Sequence, residues 1–290
     1  MQNRSLTVHP LVLIGAFFAA PCFTMFLMHP VCLGVSLCAA VLCLLCLGGG
    51  ESLRRALRPA LPAALLAAAV NMAFNHRGQT ILFYLPGGNP CTLESLCYGA
   101  AAGVLLAATL LWFSCCAAVL TTDHFTFLFS RVSPALALLF SMTLRFLPRF
   151  RRRFALVRQG QPEPAGRVAK LKAAFAGFWA VVAWALEHAG ETADSMNGRG
   201  YGLQGRTAFS IFQKTARDRL LLGGLCALAL GVLCACVTGL FRFSYAPRLL
   251  AEPLSPRSGC AFFLFALLCA YPILILKLED RPWRCSKSDN

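Results

Sequence analysis

Long apolar segments that contain no Asp, Glu, Lys or Arg recur along this chain and constrain its fold more than any other feature. A bilayer core requires about 20 mainly apolar residues per helix. Only 13% of the residues are charged, whereas a soluble domain has about 25%. The sequence therefore predicts an all-α, polytopic membrane protein with about six transmembrane helices. The segments, of which the third is short, are 11–28, 31–47, 61–74, 100–120, 220–241 and 260–276.

The distribution of basic residues predicts the orientation of these segments. The formal net charge is +15, and Lys and Arg accumulate in the cytoplasmic loops of membrane proteins. The largest groups follow the second, fourth and sixth segments, so six crossings place all of them on one side. Both termini are then cytoplasmic, against a smaller opposing group of Arg242, Arg248 and Arg257.

The segment between the fourth and fifth apolar segments has a different composition, and it divides the chain into three parts. Residues 1–120 hold the N-terminal transmembrane helices, 121–219 form a cytoplasmic or interfacial segment, and 220–290 hold the C-terminal transmembrane helices and a short cytoplasmic tail. Ser133 followed by Pro134 indicates the N-terminus of one long helix. A second helix is predicted after Gly166.

The second helix of this segment carries an apolar face whose members are spaced by three or four residues, as on one side of an α-helix. Charged residues occupy its other faces, so the helix is predicted to be amphipathic. We call the central part of this face the apolar stripe. It consists of Leu171, Phe175, Phe178, Val182 and Leu186.

The second helix is predicted to end in a glycine-rich tip with one arginine, Gly198-Arg199-Gly200. Glycine ends helices and permits close approach of another backbone. The planar guanidinium of arginine binds a carboxylate through two parallel hydrogen bonds. The framed arginine therefore indicates docking to an acidic group of a partner, which a purely basic membrane loop would not require.

Two stretches resemble a known family. Residues 196–207 read MNGRGYGLQGRT and are similar to the Ala-Arg-Gly-Tyr-Gly-Leu-Pro-Gly-Arg-Thr signature of the T component of energy-coupling factor (ECF) transporters, which are importers related to ABC transporters. Residues 144–148 read LRFLP and resemble the Arg-Phe-Ile-Pro stretch of the same family. The order of apolar segments and basic helices also fits, and the resemblance is strongest over 135–207.

The resemblance implies a function without catalysis. A T component couples two cytoplasmic ATPases to a separate substrate-binding S component in the bacterial cell membrane, and so drives vitamin or metal-ion uptake. Gly198, Arg199 and Gly200 match the second ATPase-binding motif, with Arg199 as the contact, and the apolar stripe is implied to support the S component or the coupling helices. The first motif matches only at Gln161; Arg158 or Arg167 would supply its arginine.

Other classes of function find less support in the residues. The sequence has neither paired acids for a catalytic metal nor the GxxxxGK[ST] loop of an ATPase, so we expect no catalytic residue, metal or cofactor. The 15 cysteines are scattered through apolar segments and are interpreted as packing residues. The basic residues do not form the basic patch on a soluble fold that is typical of a nucleic-acid-binding protein. The remaining alternative is a membrane-surface or regulatory protein whose basic amphipathic helices dock on anionic lipid.

Overall fold

The protein is all-α and multi-pass, as a computed structural model describes it for residues 8–75, 78–84, 90–160, 166–203, 215–245, 250–251 and 255–288. This confirms the predicted fold class. Two short antiparallel strand pairs, which the sequence did not predict, connect helices. The elements are α1 (Pro10–Phe26), α2 (Pro30–Phe74), β1 (Ile81–Tyr84), β2 (Pro90–Thr92), α3 (Leu93–Val119), α4 (Thr122–Val132), α5 (Pro134–Gln159), α6 (Arg167–Gly198), α7 (Ala216–Val237), β3 (Phe243–Ser244), β4 (Leu250–Ala251) and α8 (Pro256–Ser288).

The elements form two compact units. The first consists of Met1–Thr122 together with Phe212–Asn290, and the second is Asp123–Ile211. The first unit holds α1, α2, α3, α7 and α8, and the second holds the helices of the basic segment, α4 to α6.

Helix α2 is interrupted at Gly48 and Gly49. Gly48 has φ −157° and ψ 19°, and Gly49 has φ 65° and ψ −161°. The second of these conformations is accessible to glycine but not to residues with a Cβ. The glycine run 48–50, which lies between the second and third predicted apolar segments, therefore separates two helical arms, 30–47 and 50–74.

The first arm of α2 runs parallel to α3. Trp112 Nε1 of α3 donates a hydrogen bond of 3.0 Å to Ser36 Oγ, and Cys115 Sγ donates to the carbonyl oxygen of Ala40 at 3.8 Å. Residue numbers thus rise together along the two helices.

The second arm of α2 runs in the opposite direction along α3. A Cβ added to Gly99 would lie 2.9 Å from the carbonyl oxygen of Ala68, and one added to Gly103 would lie 2.8 Å from that of Ala64. Here the numbers rise along α3 and fall along α2. The chain therefore reverses at the glycine break, and each arm corresponds to one predicted apolar segment.

The glycines of α3 permit close helix packing. Gly99 and Gly103 are four residues apart and face Ala64 and Ala68, which are also four apart. Small residues at this spacing let the backbones of membrane helices approach each other. Packing at this contact is limited by backbone atoms, which cannot move away from an added side chain.

A hydrogen-bonded chain of polar groups crosses the core of the first unit. Trp112 is fully buried, and its indole donates to Ser36, whose hydroxyl lies 2.7 Å from Thr24 Oγ1. Thr24 donates in turn to the carbonyl oxygen of Ala20 at 2.7 Å. Buried polar groups are tolerated when they are paired, and this chain links α1, the first arm of α2 and α3.

Helices α1 and α7 begin, and helix α3 ends, on the same side of the helix bundle of the first unit. α7 runs parallel to α1, because two contacts between them follow the same order along both helices. His9 N donates to Asp218 Oδ1 at 3.3 Å, and further along a Cβ added to Gly15 would lie 3.0 Å from Leu225 Cδ2. Only residues 27–29 separate α1 from the first arm of α2, so these two helices are antiparallel neighbours. Because α3 runs parallel to that arm, it ends on the side where α1 and α7 begin.

Five helices of the described chain are long and apolar enough to cross a membrane: α2, α3, α6, α7 and residues Pro256–Leu278 of α8. Helix α1 is apolar but has only 17 residues. None of the six predicted apolar segments lies within 121–219, whereas α6 meets the criterion of length and composition. Its most apolar window has the lowest mean hydropathy of the five, 1.4.

Candidate functional site

Helices α5 and α6 of the second unit form an antiparallel pair. The rings of Phe146 and His188 lie 6.2 Å apart, and those of Phe150 and Trp184 lie 6.1 Å apart. Residue numbers rise along α5 while they fall along α6. As predicted, α5 begins after Ser133 and α6 after Gly166; α5 continues through Pro148 as one helix.

Two arginines of α5 lie over aromatic rings of this contact, one on α5 itself and one on α6. The guanidinium carbon of Arg153 lies 5.4 Å from the centre of the Trp184 ring, and that of Arg149 lies 5.5 Å from the centre of Phe146. Trp184 also stacks on His188, with ring centres 5.3 Å apart. Cations over aromatic faces are attracted by the ring quadrupole, so Arg153 helps to hold α5 to α6, whereas the Arg149 contact lies within α5.

The face of α6 that packs on α5 is not the apolar stripe. Gly177 and Val181 are buried and, with Trp184 and His188, occupy one face at spacings of four, three and four. Sequence analysis missed this face because glycine and histidine do not add to an apolar periodicity. The 4-3-4 spacing from Gly177 was the available signal.

The apolar stripe lies at the surface of the described protein. The exposed fraction is 61% for Leu171, 59% for Phe175, 56% for Phe178 and 71% for Leu186, whereas Val182 is half-buried. Monomeric soluble proteins rarely expose contiguous apolar surfaces of this kind. The stripe is therefore available to lipid or to a partner.

The C-terminal tip of α6 is closed by a Schellman motif. Tyr201 N donates to the carbonyl oxygen of Met196 at 3.1 Å, and Gly200 N donates to that of Asn197 at 3.0 Å. Gly200 has φ 77°, as this motif requires, and Gly202 also has a left-handed φ of 88°. Both glycines thus adopt backbone conformations that residues with a Cβ rarely adopt.

Arg199 occupies the C-cap position of this tip and is exposed. Within the part of the chain that the structure describes, no carboxylate forms an ion pair with it. Gly198 still has helical geometry, and a Cβ there would meet nothing within 4 Å. The backbone at the tip is thus fixed by hydrogen bonds while the guanidinium faces outward.

The two arginines of the first motif flank the connection between α5 and α6. Arg158 is exposed in the last turn of α5, Gly160 caps that helix, and Arg167 is the first residue of α6. Gln161 lies outside the described residues. A helix of 32 residues is about 48 Å long at 1.5 Å per residue, so Arg167 lies at one end of α6 and Arg199 at the other.

Among the described residues, no three His, Cys, Asp or Glu side chains converge in a way that could hold a metal ion. The described cysteines are free thiols. The distinctive chemistry of the second unit is therefore that of arginine, presented on helices with exposed apolar faces.

No protein-family model and no curated protein matches this chain. The fold defines its class: an all-α, multi-pass membrane protein in which a bundle of apolar helices is joined to a basic unit of three helices.

Proposed function

We propose that this protein is the T component of an ECF-type importer, a non-catalytic membrane subunit that couples two cytoplasmic ATPases to a substrate-binding S component. The observation that carries the proposal is Arg199, an exposed guanidinium on a tip whose backbone is fixed by the Schellman motif. Such a group is prepared to bind a carboxylate with little loss of backbone entropy.

Helix α6 has the properties of an element that transmits movement. It is continuous over 32 residues, and the ring contacts of Trp184 and His188 fix its middle to α5. A displacement of the Arg199 tip by an ATPase would therefore move both helices rather than bend one loop. The arginines at opposite ends of α6 suit contact with two separate ATPase subunits.

At the first motif the geometry favours Arg167 over Arg158. Arg167 begins α6, where the helix dipole is positive and where the preceding Gly166 has no side chain to cap the free N–H groups. A carboxylate of an ATPase would bind both the guanidinium and these N–H groups. Arg158 already lies at the negative end of the α5 dipole, which stabilises its charge.

The apolar stripe supplies the surface for the S component. Leu171, Phe175, Phe178 and Leu186 are each more than half exposed, and a second membrane protein could cover them without displacing any described contact. Vitamins and metal ions are the substrate classes that the T-component assignment implies.

The test is purification of the tagged protein from its native membrane as wild type, Arg199→Ala, Arg199→Lys and Arg152→Ala. Loss of one partner of a buried charged pair costs about 2–5 kcal/mol, so Arg199→Ala should lose the co-purifying ATPases. Arg199→Lys should be partly defective, since lysine lacks the planar fork. Arg152→Ala, the control at another exposed arginine, should behave as wild type.

A second candidate is a protein whose basic helices dock on anionic membrane surfaces. It is favoured by the exposed apolar stripe together with the arginines of α5. Under this alternative, Arg199→Ala and Arg152→Ala would weaken binding to anionic vesicles equally, and no ATPase would co-purify with either. Equal ATPase recovery from wild type and Arg199→Ala would contradict the main proposal.

A further inference from the structure

A groove of about 430 Å³ lies between α5 and α6, beside the aromatic contact. Six of its lining side chains are apolar, and the seventh is Arg151. Its volume lies within the range of about 300–1,000 Å³ that is typical of ligand sites. The lining residues are Phe150, Arg151, Phe154, Phe178, Val181, Val182 and Ala185.

All charged residues of α5, the helix that forms one wall of this groove, are arginines. Helix α5 contains six arginines and no acidic residue, and none of these arginines forms an ion pair within the described residues. Arg149 and Arg153 lie over aromatic rings, whereas no described ring holds Arg151, which is exposed. Arg158 follows seven residues later, two turns along the same face of the helix.

We propose that this groove binds an acyl chain of an anionic membrane phospholipid, with the lipid phosphate on Arg151. The lining suits such a molecule, because its surface is almost entirely hydrocarbon and the exposed side chain of Arg151 borders it. An acidic peptide would leave backbone groups unpaired, since Arg151 is the one polar side chain of the lining. Two copies of α5 would repel each other.

The apolar composition of α6 favours contact with the membrane, where phospholipid is abundant. The helix is apolar enough to lie in a membrane by length and composition, and Phe178, which lines the groove, also belongs to the exposed stripe. The site differs from general attraction to a charged membrane surface, because it holds one lipid in one place and is saturable.

The experiment is native mass spectrometry of the full-length protein released from detergent, titrated with phosphatidylglycerol or phosphatidylcholine. We expect one phosphatidylglycerol to bind ahead of all others. Arg151→Gln should weaken that first binding step by about fivefold, the effect of one arginine near an anionic lipid. Arg152→Gln, which removes an adjacent exposed arginine outside the groove, should change it less than twofold.

A variant that fills the groove provides an independent test. Ala185→Phe adds a ring to the lining without changing the charge, and it should remove the first binding step while leaving weaker lipid binding unchanged. Equal effects of Arg151→Gln and Arg152→Gln, equal binding of the two lipids, or unchanged binding to Ala185→Phe would each overturn the proposal. The experiment contains no ATPase, so its failure is distinguishable from failure of the proposed coupling function.

Discussion

Gly200 shows how a single residue shapes the candidate site. Its φ of 77° belongs to the left-handed region, where a residue with a Cβ is strained. The Schellman hydrogen bonds around it end α6 and leave Arg199 on the outside. The glycine after the arginine therefore has a structural requirement of its own, which exists whether or not a partner binds.

Gly200→Ala is expected to destabilise the tip by about 1 kcal/mol, because alanine must adopt the left-handed conformation and its Cβ would lie 3.0 Å from Leu203 Cδ1. Faster hydrogen exchange of the amides of 198–203 would report this loss. The matched control is Gly198→Ala, where the backbone is helical and space is open; it should slow exchange, since alanine favours helix. Equal exchange in the two variants would contradict the described cap.

At the scale of elements, two helix contacts determine how the candidate site is supported. The α3 contact with α2 depends on glycine and alanine, which let the backbones approach each other. The contact between α5 and α6 depends instead on large rings and on the guanidinium of Arg153 over the Trp184 ring. The first contact is sensitive to added volume, and the second to lost charge.

Gly103→Ala should destabilise the first unit by about 1–3 kcal/mol, the usual cost of overpacking. The added Cβ would lie 2.8 Å from the backbone carbonyl oxygen of Ala64. A backbone atom cannot move away as the end of a flexible side chain can. Thermal unfolding in detergent measures the effect. The control is Gly34→Ala, since a Cβ at Gly34 would meet nothing within 4 Å; this variant should match or exceed wild-type stability.

Arg153→Gln should weaken the pairing of α5 and α6 by about 0.5–1 kcal/mol, the value of an exposed cation–π contact. The guanidinium carbon lies 5.4 Å from the Trp184 ring centre, and glutamine keeps most of the side-chain length without the charge. Tryptophan fluorescence during denaturation reports on this contact in a background with Trp184 as the only tryptophan. Arg152→Gln serves as the control, and an equal shift in both variants would contradict the contact.

At the scale of the whole molecule, helix directions limit the path of the basic segment. α3 ends on the side of the first unit where α7 begins, as their contacts with α2 and α1 show. Residues between them must therefore cross the membrane an even number of times. A single crossing by α6, which its length and composition would allow, is incompatible with this arrangement.

We predict that both termini and the Arg199 tip lie in the cytoplasm. Fluorescent-protein fusions at either terminus should be fluorescent. A split fluorescent-protein strand inserted after Gly202 should give signal when the complementing fragment is cytoplasmic. The physical reason is the excess of Lys and Arg on that side. A tip that is reached only from outside the cell would contradict this orientation.

Sequence reasoning predicted the elements well because hydropathy and glycine act locally. The sequence predicted separate apolar segments on either side of the glycines at 48–50, and the structure reverses α2 there. It missed the packed face of α6, because most residues of that helix are small or apolar and several faces have similar periodicity. The face of α6 that packs on α5 is determined by its contacts with the rings of Phe146 and Phe150. The hydrophobic periodicity of a single helix does not reveal such a contact between two helices.

The proposed contact between Arg199 and an ATPase can be tested by placing a photo-crosslinking amino acid at this position. Irradiation in intact cells should join the protein to an ATPase subunit, with the same residue at position 152 as the control that gives no such product. Crosslinks from position 199 only to lipid, or to no ATPase at all while the protein is correctly inserted, would contradict the account.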